Sequence, residues 1–139
     1  MRKLFIIALA VISITATAFC AKVDFKAKIF EFTKTYFSHA TVSNISPDGK
    51  EFKARLTDNT SLRFDHKVRW EEIDCENSMI YTSVPTQLVP EQISSFVKQN
   101  HPHRNIVKIK KEKKNWEIEL DNELEIEFDK KFNVVEMDH

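Results

Sequence analysis

The chain has 139 residues, with 21 lysines and arginines against 21 aspartates and glutamates, 42% hydrophobic and 30% charged residues, the profile of one ordinary globular domain or two very small ones. Zero net charge argues against nucleic acid as a main partner, because displacing phosphate counterions needs a basic excess. The one glycine, Gly49, excludes phosphate-cradling loops and dinucleotide fingerprints together, since both need glycine where backbone approaches a ligand or takes positive φ.

Met1-Arg2-Lys3 followed by the uncharged, apolar run Leu4 to Ala18 has the layout of a secretory signal peptide, and the run is too short to span a bilayer. Ala16 and Ala18 put small residues at −3 and −1 for cleavage after Ala18. Cleavage after Ala21 ranks second because it places Phe19 at −3. Phe19 also weakens a lipoprotein reading of Cys20. The expected location is therefore periplasmic or secreted, with no membrane span after cleavage. Loss of Arg2 and Lys3 leaves 19 basic against 21 acidic residues, a net charge of −2. Export permits a disulfide, so Cys20 and Cys75 either pair or, if Cys20 is removed with the leader, Cys75 is a lone thiol.

Beyond the leader, Phe25, Ile29, Phe32 and Tyr36 follow helical spacing. Alternating runs then point to strands, and Asp58-Asn59 between two of them can take the left-handed conformation a tight hairpin needs. Asn77 to Thr86 reads as a linker. Val89, Ile93 and Phe96 repeat the helical spacing, with Pro90 suited to the first turn and Pro102 as the stop. Trp116, Ile118, Leu120 and then Leu124, Ile126, Phe128 alternate with acidic residues, which predicts a sheet with one dry and one wet face, Asp121-Asn122 serving as the turn.

These two patterns are the same pattern. Slid along itself, the sequence aligns Lys26–Asp74 with Pro90–Asp138 without a gap, with identities such as Ile29/Ile93, Phe32/Phe96, Leu56/Leu120, Phe64/Phe128, Asp65/Asp129 and Asp74/Asp138. The predicted fold is α+β, a tandem repeat of one helix plus about four antiparallel strands, with the helices on one face of the sheet. The domain boundaries are 1–18 for the leader (or to 21), 22–79 for the first repeat and 85–139 for the second. A unit of roughly 50 residues buries only about 60% of its unfolded surface, so the two are expected to form one compact body.

No set of residues assembles an active site. His101 and His103, with His39 matching His103 in the repeat, lack a further ligand at metal spacing. Ser94-Ser95 has no motif around it, and Cys75 has no neighbour that would activate it. The chain is read as a non-enzyme without a cofactor. The wet face is more informative: Lys53, Arg55 and Arg63 of the first unit correspond to Glu117, Glu119 and Glu127 of the second, with Glu125 on the same strand as Glu127. Such polarity suits a docking surface for a protein or peptide, and Trp70 is the expected anchor, Trp116 being core by its match to Phe52. The lysines at 108, 110, 111, 113 and 114 belong to the first strand and hairpin of the second unit.

The order Val89-Pro90, Ile93, Phe96, His101-Pro102, Trp116-Glu117-Ile118-Glu119-Leu120 and Ile126-Glu127-Phe128-Asp129 resembles the bacterial PepSY-like family of exported proteins, described as beta-lactamase-inhibitor-like. Phe52 to Leu56, Leu62-Arg63-Phe64-Asp65 and Trp70 to Asp74 repeat it more loosely. The family usually places glycine in the hairpin turns and shortly after Phe-Asp, where this chain has Asn59, Glu123, Val68 and Phe132. The resemblance implies a tandem helix-plus-sheet architecture similar to beta-lactamase inhibitor protein, whose concave sheet grips a target enzyme. The expected function is docking of a protein or peptide partner on the open sheet, with restraint of an envelope hydrolase as one form of it. The alternative is a periplasmic sensor that holds a small ligand or peptide between sheet and helices.

Overall fold

The computed structural model describes residues 24–139, so the expected leader, its expected cleavage site and Cys20 lie outside the described residues. Helix α1 (Phe25–Tyr36) opens under an Asp24 cap whose Oδ1 accepts from the amides of Lys26 and Ala27 at 3.1 and 3.2 Å. Strands β1 (Val42–Asp48), β2 (Glu51–Leu56), β3 (Ser61–Phe64) and β4 (Trp70–Asp74) follow. A 3-10 turn (Thr86–Leu88) leads to helix α2 (Glu91–Asn100), then to β5 (Ile106–Lys111), β6 (Asn115–Leu120), β7 (Glu125–Asp129) and β8 (Val134–Asp138). Pro90 lies one position earlier than expected, as the cap residue before α2. His101, ahead of Pro102, leaves the helical conformation and ends that helix.

All eight strands form one antiparallel sheet in chain order, β1 to β8. The α+β class and the alternation of dry and wet positions are therefore as the sequence implies. One apolar row crosses every strand in register: Ile45, Ala54, Leu62, Ile73, Ile109, Ile118, Ile126 and Met137. Both helices pack on this side. Phe25 stacks on Phe52 with centroids 4.4 Å apart, while Phe32 meets Phe64 edge-on at 5.3 Å and Phe96 meets Phe128 edge-on at 5.4 Å. Because Ile73 and Ile109 are fully buried where β4 meets β5, a single core runs from α1 to β7.

The connection between β4 and α2 is not a slack linker. Cys75 donates its amide to Val107 and Val84 to Ile106, both at 2.8 Å, so each end is stitched to β5. In between, Ser78 Oγ donates to Asp58 and accepts from the amides of Ile80 and Tyr81; Tyr81 packs edge-on against Phe37 and its hydroxyl accepts from the His39 amide. Sequence spacing alone carries no signal for this, because the contacts to Asp58, Phe37 and His39 are long-range.

Among the described residues four other than glycine have positive φ: Asn59 at 73°, Val68 at 60°, Glu123 at 68° and Phe132 at 63°. In the self-alignment of the chain Asn59 matches Glu123, and Val68 matches Phe132. The first turn behaves as expected, with Asn59 left-handed. In the second turn the strained residue is Glu123 rather than Asn122, because the Glu123 amide bonds back to Leu120 as that of Asn59 does to Leu56. Glu123 is exposed and has no side-chain role in the turn, so relieving its backbone carries little loss. Glu123→Gly is expected to stabilise the fold by about 0.5–1 kcal/mol, net of the extra freedom glycine gains when unfolded. Thermal melts should show a rise of roughly 3 °C; a fall would mean that the glutamate contributes something the backbone argument omits.

Candidate functional site

The face of the sheet away from the helices is where charged side chains gather, and strand register orders them. One row reads Ser46, Lys53, Arg63, Glu72, Lys110, Glu117, Glu127, Glu136 from β1 to β8. The parallel row reads Asn44, Arg55, Ser61, Asp74, Lys108, Glu119, Glu125, Asp138. The face is thus basic over β2 and β3, mixed over β4 and β5, and acidic over β6 to β8. Lys53, Arg55, Arg63, Glu117, Glu119, Glu125 and Glu127 all occupy this face. Glu136 and Asp138 extend the acidic end by one more strand; their signal in the sequence is their alignment with Glu72 and Asp74.

The two ends differ in how far they neutralise themselves. Lys53 lies 3.2 Å from Asp48, and Arg63 lies 3.7 Å from Glu51 and 3.3 Å from Glu72. Lys108 reaches Glu72 at 3.9 Å, and Lys110 reaches Glu112 at 3.1 Å. These surface pairs, several of them half-buried, are individually weak, but they balance the basic end. At the acidic end Glu117 faces Glu127, which faces Glu136, and Glu119 faces Glu125, which faces Asp138. Like charges directly opposite one another oppose strand pairing, by up to about 1 kcal/mol per pair. Among the described residues, the hydrogen bonds these carboxylates accept come from Asn115 Nδ2 to Glu127 and from the His139 amide to Asp138.

Electrostatics records this crowding. Partial burial and then the charge of Glu125 hold the Glu117 carboxyl above its ordinary range. Burial, followed by the charges of Glu76 and Glu125, does the same to Glu119. Both groups would release that tension on meeting a cation. Glu117, Glu125, Glu127, Glu136 and Asp138 line a shallow cavity of about 180 Å³.

Other candidates sort differently. Trp70 does not stand in the charged rows. It pairs with Phe64 on the helix side, packs against the core and lies 6.2 Å from Trp116, and the Lys111 ammonium sits 3.8 Å above its ring. The irregular register between Arg63 and Phe64 leaves Glu71 unpaired, and this extra residue turns Trp70 inward, which spacing could not reveal. Cys75 is buried and free among the described residues, and burial pushes its thiol up to about 12, so it is a packing group and not a nucleophile. Among the described residues no three His, Cys, Asp or Glu side chains converge tightly enough to hold a metal ion. No helix among them is long and apolar enough to cross a membrane.

Asp65 and Asp129 are structural. Burial alone would raise the Asp65 carboxyl, but the amides of Arg69 and Lys67 and the Arg69 guanidinium outweigh it and hold the group below its usual range. Asp129 is lowered by the backbone and side chain of Asn133 and the amide of Lys131. Each aspartate closes the turn that contains Val68 or Phe132 and so supports the left-handed backbone there.

The fold has known counterparts, although no curated protein matches the chain. A periplasmic protein from Bacteroides thetaiotaomicron, described as a candidate calcium-regulated protein, is 30% identical with a TM-score of 0.73, over 84% of this chain and 94% of that one. A Bacteroides vulgatus periplasmic protein of the DUF2874 family is 30% identical with a TM-score of 0.72, over 84% and 94%. A second B. vulgatus periplasmic protein, of unknown function, is 30% identical with a TM-score of 0.71, over 81% and 90%. The model of the beta-lactamase-inhibitor-like, PepSY-like family matches residues 50–136. With an eight-stranded sheet and two α-helices among its described residues, the chain belongs to that PepSY-like family, and the solved structures it resembles are described as periplasmic proteins.

Proposed function

We propose that this protein is an exported, non-enzymatic binding protein whose open sheet face docks a protein or peptide partner, led by its acidic end. The observation that carries the reading is the stack of six carboxylates on β6, β7 and β8, in register and with no lysine among them. Such an arrangement costs the isolated fold stability, which points to a role met by a basic surface outside it. The family's description as inhibitor-like supports a protein target, and a hydrolase of the envelope is the target class we favour. The two halves, 22–79 and 85–139, are read as a tandem repeat in one body. The strained backbone shared by Asn59 and Glu123 and by Val68 and Phe132 supports this, as do register shifts at Val42/Asn44 and Ile106/Lys108.

One solved relative is described as a candidate calcium-regulated protein, but here the carboxylates face their neighbours across strands without converging as a chelating set requires. The geometry suits an extended basic surface better than a resident cation. A second reading, the small-ligand or peptide sensor, draws on a mostly apolar groove of about 300 Å³ between α1 and β1, lined by Phe30, Thr33, Ala40 and Val42 among others.

Affinity capture from envelope extract separates these readings. The protein should retain a stoichiometric basic partner that is released by high salt and lost in a Glu119→Lys, Glu125→Lys double variant, while a Phe30→Ala variant keeps it. Retention of the same partner by the double variant would sink acidic-face docking. A co-purified small molecule lost only in the Phe30 variant would favour the sensor.

A further inference from the structure

Among the described residues strand β8 is the free edge beside the acidic end, and apolar surface lies open along it: Val134 is 37% exposed, Val135 55% and Met137 48%. An exposed edge offers unpaired amides and carbonyls to any strand that fits. What fits can be read from the molecule itself, because β8 matches β4 in sequence and in pairing. Trp70, Glu72, Ile73 and Asp74 pair with Phe64, Arg63, Leu62 and Ser61; their aligned equivalents Val134, Glu136, Met137 and Asp138 pair with Phe128, Glu127, Ile126 and Glu125. Even the register shift recurs, at Arg63/Phe64 and Glu127/Phe128.

β4, unlike β8, has its far edge filled. β5 pairs with it antiparallel, with Lys110 opposite Glu72, Ile109 opposite Ile73 and Lys108 opposite Asp74. The acidic, apolar, acidic edge of β4 is thus met by a basic, apolar, basic strand, which buries Ile73 completely. The corresponding edge of β8, Glu136-Met137-Asp138, has the same chemistry and leaves Met137 half exposed.

A second copy of the chain does not supply the missing strand. Its β1, the counterpart of β5, carries Asn44-Ile45-Ser46 where β5 has Lys108-Ile109-Lys110, and Pro47 next along removes a donor. Its β8 would set Glu136 and Asp138 beside further carboxylates.

We infer that the free edge of β8 takes up an extended, basic, apolar, basic segment of a partner polypeptide, added antiparallel in the register that β5 uses on β4. The apolar residue sits opposite Met137 on the helix side, and lysine or arginine sits opposite Glu136 and Asp138 on the open face. Main-chain hydrogen bonds then hold the segment, and the alternating side chains select it. This rests on the docking reading above and narrows it from the open face to its edge.

The full chain is titrated with a capped synthetic peptide, Ile-Val-Lys-Ile-Lys-Lys, while amide hydrogen exchange is followed. The outward-pointing amides of Val134–Asp138 should become protected. One of two peptides N-methylated at alternate residues should lose binding and the other keep it. Glu136→Lys with Asp138→Lys should weaken binding by about tenfold, the sum expected from reversing two cross-strand charge pairs. No binding at millimolar peptide would overturn the inference. So would binding of both methylated peptides with β8 exchange unchanged, an outcome that leaves docking on the open face standing. Loss of the captured envelope partner in the Glu119, Glu125 variant tests that docking separately.

Discussion

Phe128→Ala is expected to destabilise the protein by about 4 kcal/mol, the range for truncating a fully buried phenylalanine. Phe128 is 0% exposed, pairs with Trp116 and Val134 across the sheet, and is met edge-on by Phe96 of α2, so its loss opens a cavity between α2 and the sheet. Phe64, its counterpart at 1% exposure beneath Phe32, should cost the same. For a domain whose total stability is about 5–15 kcal/mol, either change leaves it marginal and lowers Tm by roughly 15 °C. Each variant should still melt in one transition, because the apolar row through Ile73 and Ile109 joins the halves. A remaining transition at the wild-type temperature in Phe128→Ala would show that the first half stands alone, against the shared core.

Asp58→Ala is the second large effect, about 3 kcal/mol, and its cause is polar. Asp58 and Thr60 are essentially inaccessible, at 1% and 0% exposure. The carboxylate accepts from the Thr60 amide at 3.2 Å, from the Thr60 hydroxyl at 2.8 Å and from the Ser78 hydroxyl. Alanine would strand these donors away from water and release the segment that Ser78 organises through Ile80 and Tyr81. The equivalent residue of the second half, Asn122, accepts only from the Leu124 amide, at 3.4 Å. Asn122→Ala should therefore cost about 1 kcal/mol or less, as for loss of a single modest hydrogen bond. Urea melts of the two variants make the comparison; equal losses would mean that Asp58 is only a turn residue and does not anchor the connection.

Both predictions concern how the halves are joined, and that join also shapes the candidate site. Because β4 and β5 pair, the mixed Glu72, Asp74, Lys108 and Lys110 ladder neutralises the middle of the open face. Beyond it, β6 still meets Lys108 and Lys110 on one side, and the carboxylates of β7 and β8 face only other carboxylates across the strands. The polarity read from Lys53, Arg55 and Arg63 against Glu117, Glu119 and Glu127 was legible because strand alternation sends every second side chain to the same face. That Asp48, Glu51 and Glu72 reach back to the cations was not, since it depends on neighbours across the sheet.

Local periodicity determined the elements of this protein. Spacing of Phe25, Ile29 and Phe32, alternation from Trp116 to Phe128, and the gapless match of Lys26–Asp74 to Pro90–Asp138 are properties of the chain read in order. They set the class, the strand faces and the family resemblance. Tertiary structure decided what distance along the chain conceals. Trp70 turns inward because an extra residue, Glu71, interrupts the ladder, and Glu123 takes the strained turn position because its amide must reach Leu120. The same structure gives β4 a partner strand on both edges and, among the described residues, gives β8 one on a single edge, although the two read almost alike in sequence. The physical reason is common to all three: a side chain's direction follows from its own backbone, whereas its partners follow from register between strands that meet only in the folded sheet.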